Sequence, residues 1–259
     1  MEYGIALVAG LLIGSFLNVC IYRWPRDHSI VWPGSRCTSC GHPIAWYDNV
    51  PLASYAVVGG RCRHCLARIS WRYPLVEALT AGLFVAAVAV WGLTPAAGKF
   101  ALFAFLQLGM IFSDFETRLL PDQFTKGGIV LGLALAWLVP LREGFVRYLL
   151  LPDQTRLASL LEAGFAAAFT SGALWLTGWV YSRVRKREGL GFGDVKMIAM
   201  IGAFQGISVA MLTLLVGCVG GSIIGLLYVW LAKKDMRTYE LPFGSFLGAA
   251  ALITGLVTG

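Results

Sequence analysis

The chain has 259 residues, 58% of them hydrophobic and only 14% charged, with a mean hydropathy of +0.71 and a formal net charge of +7. Its apolar residues come in long runs, which excludes an ordinary soluble domain and makes this an integral membrane protein. No basic face with aromatic interleaving accompanies the positive charge, so it reads as topology and contact with membrane lipid, and nucleic acid is excluded as a partner.

A bilayer-spanning helix needs roughly 20 mostly apolar residues. On that ruler the spans fall near 4–22, 75–93, 98–113, 127–141, 157–182, 195–205, 207–232 and 243–258. Val195 to Ala232 is too long for one crossing, so a break is expected near Gln205-Gly206. The expected fold is an all-α polytopic membrane protein of about eight transmembrane helices with a small cytoplasmic zinc-binding subdomain. Residues 1–23 form its first helix, 24–72 the cytoplasmic segment and 73–259 the transmembrane core. The first helix carries Glu2 in place of a basic start and is followed by arginines, the pattern of a retained anchor rather than a signal peptide. Seven Lys and Arg lie from Arg23 to Arg72, two at Arg118 and Lys126, five from Arg183 to Lys196, and three at Lys233, Lys234 and Arg237. With the N-terminus outside, all of these face the cytoplasm. Lys99 and the 142–156 loop, with Arg142, Arg147 and Arg156, then face the other side.

Residues 24–72 are the one long polar stretch, and they hold "CTSC" (Cys37, Cys40) and "CRHC" (Cys62, Cys65). Each C-x2-C knuckle turns two thiolates toward one ion, and two knuckles complete a closed tetrahedral zinc site. Such a site is structural, with no open position for chemistry. Two disulfides are the alternative, disfavoured in a reducing cytoplasm. Cys20 and Cys218 lie alone in apolar segments as small core residues, and His42 and His64 are expected to be exposed rather than ligating.

All three histidines, His28, His42 and His64, precede the second span, and no H-E-x-x-H occurs. A zincin is excluded, and a later Ser-His or Cys-His nucleophile lacks a local histidine. No strand followed by G-x-G-x-x-G opens a helix, so a Rossmann site is absent. Acidic residues in or beside membrane helices remain, and these are functional candidates by default. They are Glu77, Asp114, Glu116, Asp122, Glu162 and Asp194. Asp114 ends the third span and Asp194 opens the sixth, with two crossings between them, so both return to the same face of the membrane. Two carboxylates that approach closely share a proton, one serving as base on a water and the other as acid on a peptide carbonyl. Gly191 and Gly193 leave room beside Asp194 for an extended substrate. "GFGD" also describes a flexible loop with a helix N-cap aspartate.

With these residues assembled, the chain resembles the bacterial type IV prepilin peptidases, GxGD-type aspartic proteases. The resemblance is carried by "GSFLNVCIYRWP" at 14–25, the paired knuckles, "RYPLVEALT" at 72–80, "DFETRLLPD" at 114–122, "GFGDVKM" at 191–197 and "PFGSFLG" at 242–248. It implies an inner-membrane enzyme that cuts the leader from type IV prepilins and pseudopilins on the cytoplasmic side. Such enzymes then methylate the new N-terminus with S-adenosylmethionine. Carried over residue by residue, Asp114 and Asp194 correspond to the catalytic pair, with Asp122 as competitor to Asp114. Gly60 and the "SFLNV" to Arg23 stretch correspond to the methyltransferase end. Ser245 departs from the proline often found there. Asn18 and Glu77 also suit buried polar residues that tie helices together. Two alternatives differ in class: a peptidase without methyl transfer, favoured when the cysteine segment is missing, and a non-enzymatic scaffold or carrier with a structural zinc knuckle. A carrier calls for acids near mid-membrane and paired broken helices.

Overall fold

The computed structural model describes residues 1–141, 144–149, 155–186, 190–231 and 242–258. Arg142, Arg187, Lys233, Lys234 and Arg237 lie outside the described residues. The described residues are helical apart from connecting segments and two isolated antiparallel bridges, Arg36 with Pro43 and Arg61 with Arg68. The chain divides into an N-terminal unit, Met1–Gly109, and a C-terminal unit, Met110–Gly259.

In the N-terminal unit, α1 (Glu2–Arg23) runs into a 3-10 turn, Trp24–Arg26, where Pro25 ends the regular hydrogen bonding. A second 3-10 turn, Trp46–Asn49, and the short α2 (Ala53–Val57) lie within the polar segment. α3 (Arg72–Trp91) stops at Gly92, whose φ of 66° places it in the left-handed region. α4 (Pro95–Thr117) opens on a proline, which suits a first helical position, and continues into the C-terminal unit. α1 packs along α3 at very short range: a Cβ on Gly14 would lie 2.8 Å from the Glu77 Cα. A small residue is therefore required, as is usual where membrane helices approach closely. Asn18 Nδ2 donates to the Tyr73 carbonyl at 3.0 Å, and Glu77 accepts the Leu52 N–H at 2.9 Å. Both buried polar groups thus fasten elements of this unit together.

In the C-terminal unit, α5 (Asp122–Leu138), α7 (Thr155–Arg185) and α9 (Phe243–Val257) pack against α8 (Phe192–Leu231), and the short α6 (Phe145–Leu149) packs against α7. From Val195 to Phe204 every α8 residue but Lys196 is buried. A helix apolar on all sides belongs in such a centre. α8 has 40 residues and one non-helical position, Gly206, with φ 78° and ψ 176°. An unbroken helix of that length would measure about 60 Å, twice the hydrocarbon thickness of about 30 Å. The break falls where the length of the apolar run calls for it. It frees backbone groups inside the unit, and Glu162 answers for one of them. This carboxylate, 1% exposed, accepts the N–H of Ile207 at 3.3 Å and that of Val146 at 2.9 Å. Glu162 is thereby accounted for as a cap on the second part of α8.

Five helices are long and apolar enough to cross a membrane by length and composition: Glu2–Arg26 counting its end turn, Arg72–Trp91, Pro95–Thr117, Thr155–Arg185 and Phe192–Leu231. α9 is a shorter apolar helix, and α5 has 17 residues. Many outward-facing positions on these helices are apolar, among them Leu12, Val130, Leu215 and Ile223. An apolar exterior suits hydrocarbon and not water.

Candidate active site

Three helix ends meet in the C-terminal unit. Asp114, buried at 7% exposure, occupies the last turns of α4, which stops as Arg118 adopts a left-handed φ of 57°. Asp194 lies in the first turn of α8, its N–H donating to the Gly191 carbonyl at 3.1 Å. α9 begins after Pro242, and its second residue, Gly244, lies between the two acids. A Cβ on Gly244 would stand 3.1 Å from Asp194 Oδ1 and 3.2 Å from Asp114 Oδ2. The carboxylates thus face one side-chain-sized space, kept open by a glycine. The starts of α8 and α9 bring helix N-termini to the same place, and these favour negative charge. Chemically, the arrangement turns two carboxyls toward one space, as acid–base chemistry on a group held there would require.

The α9 contribution is the part that sequence reasoning missed. Ser245, noted only as a departure from proline, donates its N–H to Asp114 Oδ2 at 2.8 Å, and its hydroxyl lies 2.9 Å from the same oxygen. "PFGS" marks a helix start, but nothing local in it points to a partner 131 residues earlier. Gly193 has a packing role as well. A Cβ there would meet Leu120 Cδ1 at 3.1 Å, so that glycine also accommodates the α4–α5 turn. At Gly191 the nearest atom to such a Cβ is Asp194 Oδ2 at 3.3 Å. Asp122 stands apart from the pair. It is half exposed and paired with Lys196 and, at 2.7 Å, with Lys126. Hydrogen bonds from Lys126 and Lys196 hold its carboxyl down to about 2.

The N-terminal unit holds the cysteine cluster. The Sγ atoms of Cys37, Cys40, Cys62 and Cys65 all lie within 4.8 Å of one another, with Cys37 and Cys65 3.8 Å apart. Zinc–sulfur bonds of about 2.3 Å in a tetrahedron give edges of about 3.8 Å, so the donor set fits zinc. Both knuckles use the same turn: Cys37 N–H donates to the His42 carbonyl and Cys62 N–H to the Ala67 carbonyl, each at 2.9 Å. The backbone N–H groups of Cys40 and Ser39 lower the Cys37 thiol to about 6, and Cys65, although the Ala67 N–H works the other way, is raised to about 11 by desolvation and the neighbouring thiols. His42 and His64 are exposed and stack on each other at 4.2 Å, outside the cluster. Gly60 has φ 64°, and a Cβ there would press on the Tyr55 ring at 3.0 Å. Glycine at this position is accounted for by the backbone of the knuckle.

Residues 8–91 match the family described as the bacterial peptidase A24 N-terminal domain, and residues 100–226 match the type IV leader peptidase family. A protein of Pseudomonas aeruginosa is 35% identical over 95% of this chain and 87% of its own length. One from Stutzerimonas stutzeri is 36% identical over 96% and 88%. One from Myxococcus xanthus is 39% identical over 85% of this chain and 61% of its own length. Each is named prepilin leader peptidase/N-methyltransferase. No solved structure gives a significant match.

Proposed function

Because the chain belongs to the type IV leader peptidase family, we infer that it is a membrane enzyme that cleaves prepilin leaders and N-methylates the product, with Asp114 and Asp194 as its proteolytic pair. The observation that carries the pair is their convergence on Gly244. In the working state one carboxyl is ionised and the other protonated. The ionised one takes a proton from water as the water oxygen attacks the peptide carbonyl carbon, and the protonated one gives its proton to the carbonyl oxygen. When the C–N bond of the resulting diol breaks, the proton first taken from water passes to the leaving amine. A hydroxyl proton returns to the other aspartate, which restores the starting state. Asp122 does not suit this exchange, because two lysines keep it charged.

The orientation inferred from the lysines and arginines puts the cysteine segment, and both aspartates, at the cytoplasmic face. About eight crossings are obtained if α8 counts as two at Gly206 and the shorter α5 and α9 also span. The division into an anchor at 1–23, a zinc segment at 24–72 and a protease core at 73–259 follows that reading. Cys37, Cys40, Cys62 and Cys65 would hold one structural zinc. S-adenosylmethionine would supply the methyl group, and the N-terminal unit offers a cleft of about 300 Å³ bordered by Leu12, Ser15, Phe16, Arg23 and Asn49. That volume is at the lower end for small-molecule sites.

The test is single substitution. Asp114→Asn and Asp194→Asn keep the shape of the side chain but cannot exchange a proton. Each is expected to abolish cleavage of a prepilin peptide while methylation of a pre-cut peptide continues. Cleavage near the parental rate by either variant rejects the pair.

A further inference from the structure

Asp114 is held by one residue of α9. The Ser245 N–H and hydroxyl both reach Asp114 Oδ2, at 2.8 and 2.9 Å, and the hydroxyl also lies 3.1 Å from the Ile111 carbonyl oxygen. A hydroxyl has one proton to give and lone pairs to accept with. When Asp114 is a carboxylate, that proton goes to Oδ2. When Asp114 carries the proton on Oδ2, its O–H donates to Ser245 Oγ and the hydroxyl turns to Ile111. Either way no hydrogen-bonding group is stranded.

We propose that Ser245 is a positioning residue for the peptidase, holding Asp114 opposite Asp194 while its proton comes and goes. The proposal rests on the reading of these two aspartates as the proteolytic pair. The surroundings leave Ser245 as the polar partner from α9, which has no ionisable side chain. α8 contributes Asp194, and Asp122 at the head of α5 is committed to Lys126 and Lys196.

The experiment compares Ser245→Ala, Ser245→Cys and Ser245→Thr in the full-length protein, with a prepilin peptide as substrate. The alanine and cysteine variants should lose about 10-fold in kcat, as expected for one hydrogen bond to a charged group, with KM changed less than about twofold. Threonine keeps the hydroxyl and should recover kcat to within about threefold of the parent by the same reasoning. Cysteine keeps the volume with a weak donor, which separates the hydrogen bond from packing. Methylation of a pre-cut peptide should be parental throughout, and a thermal melt unchanged from the parent's is the control for folding of the C-terminal unit. If alanine disturbs that control, the cysteine and threonine variants decide. Parental kcat in the alanine and cysteine variants, a loss confined to KM, or failure of threonine to recover the rate overturns the proposal. If Asp114→Asn or Asp194→Asn still cleaves, the pair itself fails; if both are inactive and Ser245→Ala is parental, only the role of Ser245 fails.

Discussion

At the residue scale the absence of a side chain at Gly244 is as consequential as the presence of two carboxylates. A methyl group there would come within 3.2 Å of both acids, displacing the carboxyls or filling the space that they face. Gly244→Ala is therefore expected to lower cleavage by about 100-fold, the order of loss that misplacement by about 1 Å brings. Methylation of a pre-cut peptide should persist, and side-by-side rates on the two substrates check this. A cleavage rate within a few-fold of the parent would mean that the space is not used. Asp114 and Asp194 were legible as candidates because acids at membrane helix ends are costly and need a reason. Gly244 and Ser245 were not, since glycine and serine are cheap at any helix start and carry no such signal.

At the element scale the two knuckles form a small body whose turns place four thiols together. Few buried apolar residues support it: from Asp27 to Trp71 no residue is buried. A segment of this kind depends on its metal for stability. The expected outcome is about one zinc per chain by elemental analysis after reducing, chelator-free purification, as a four-cysteine site holds one ion. Cys37→Ser with Cys62→Ser should remove it and open residues 24–72 to proteolysis. Zinc-free protein with an equally resistant segment would contradict the structural role. The knuckle spacing made this site readable, because metal geometry imposes a fixed separation on residues close in the chain. The break at Gly206 was readable for a different reason, the mismatch between an apolar run and bilayer thickness. Its closure by Glu162 was not, because the carboxylate comes from another helix.

At the scale of the whole molecule the proposed reading assigns the two activities to different units, with Gly60 and the cysteines in Met1–Gly109 and both aspartates in Met110–Gly259. Gly60→Leu forces a branched side chain onto a φ of 64° and against Tyr55, so it should distort the knuckle region alone. Methylation should fall at least about 10-fold, a barrier change of the size one distorted contact brings, while leader cleavage stays within about twofold. Mass spectrometry of both products checks this, and parallel loss of the two activities would show that they are not separable. By itself the sequence determined the membrane setting, the helical class, the metal-type cluster and the two acids, because these follow from composition, run length and short-range spacing. Crossing parity even brought Asp114 and Asp194 to one face. Only the tertiary structure decided what stands between them, for α9 delivers Gly244 and Ser245 from far along the chain. It also set Leu120 of the α4–α5 turn beside Gly193. Which helices pack together depends on side-chain fit across several elements at once, and no local pattern encodes that fit.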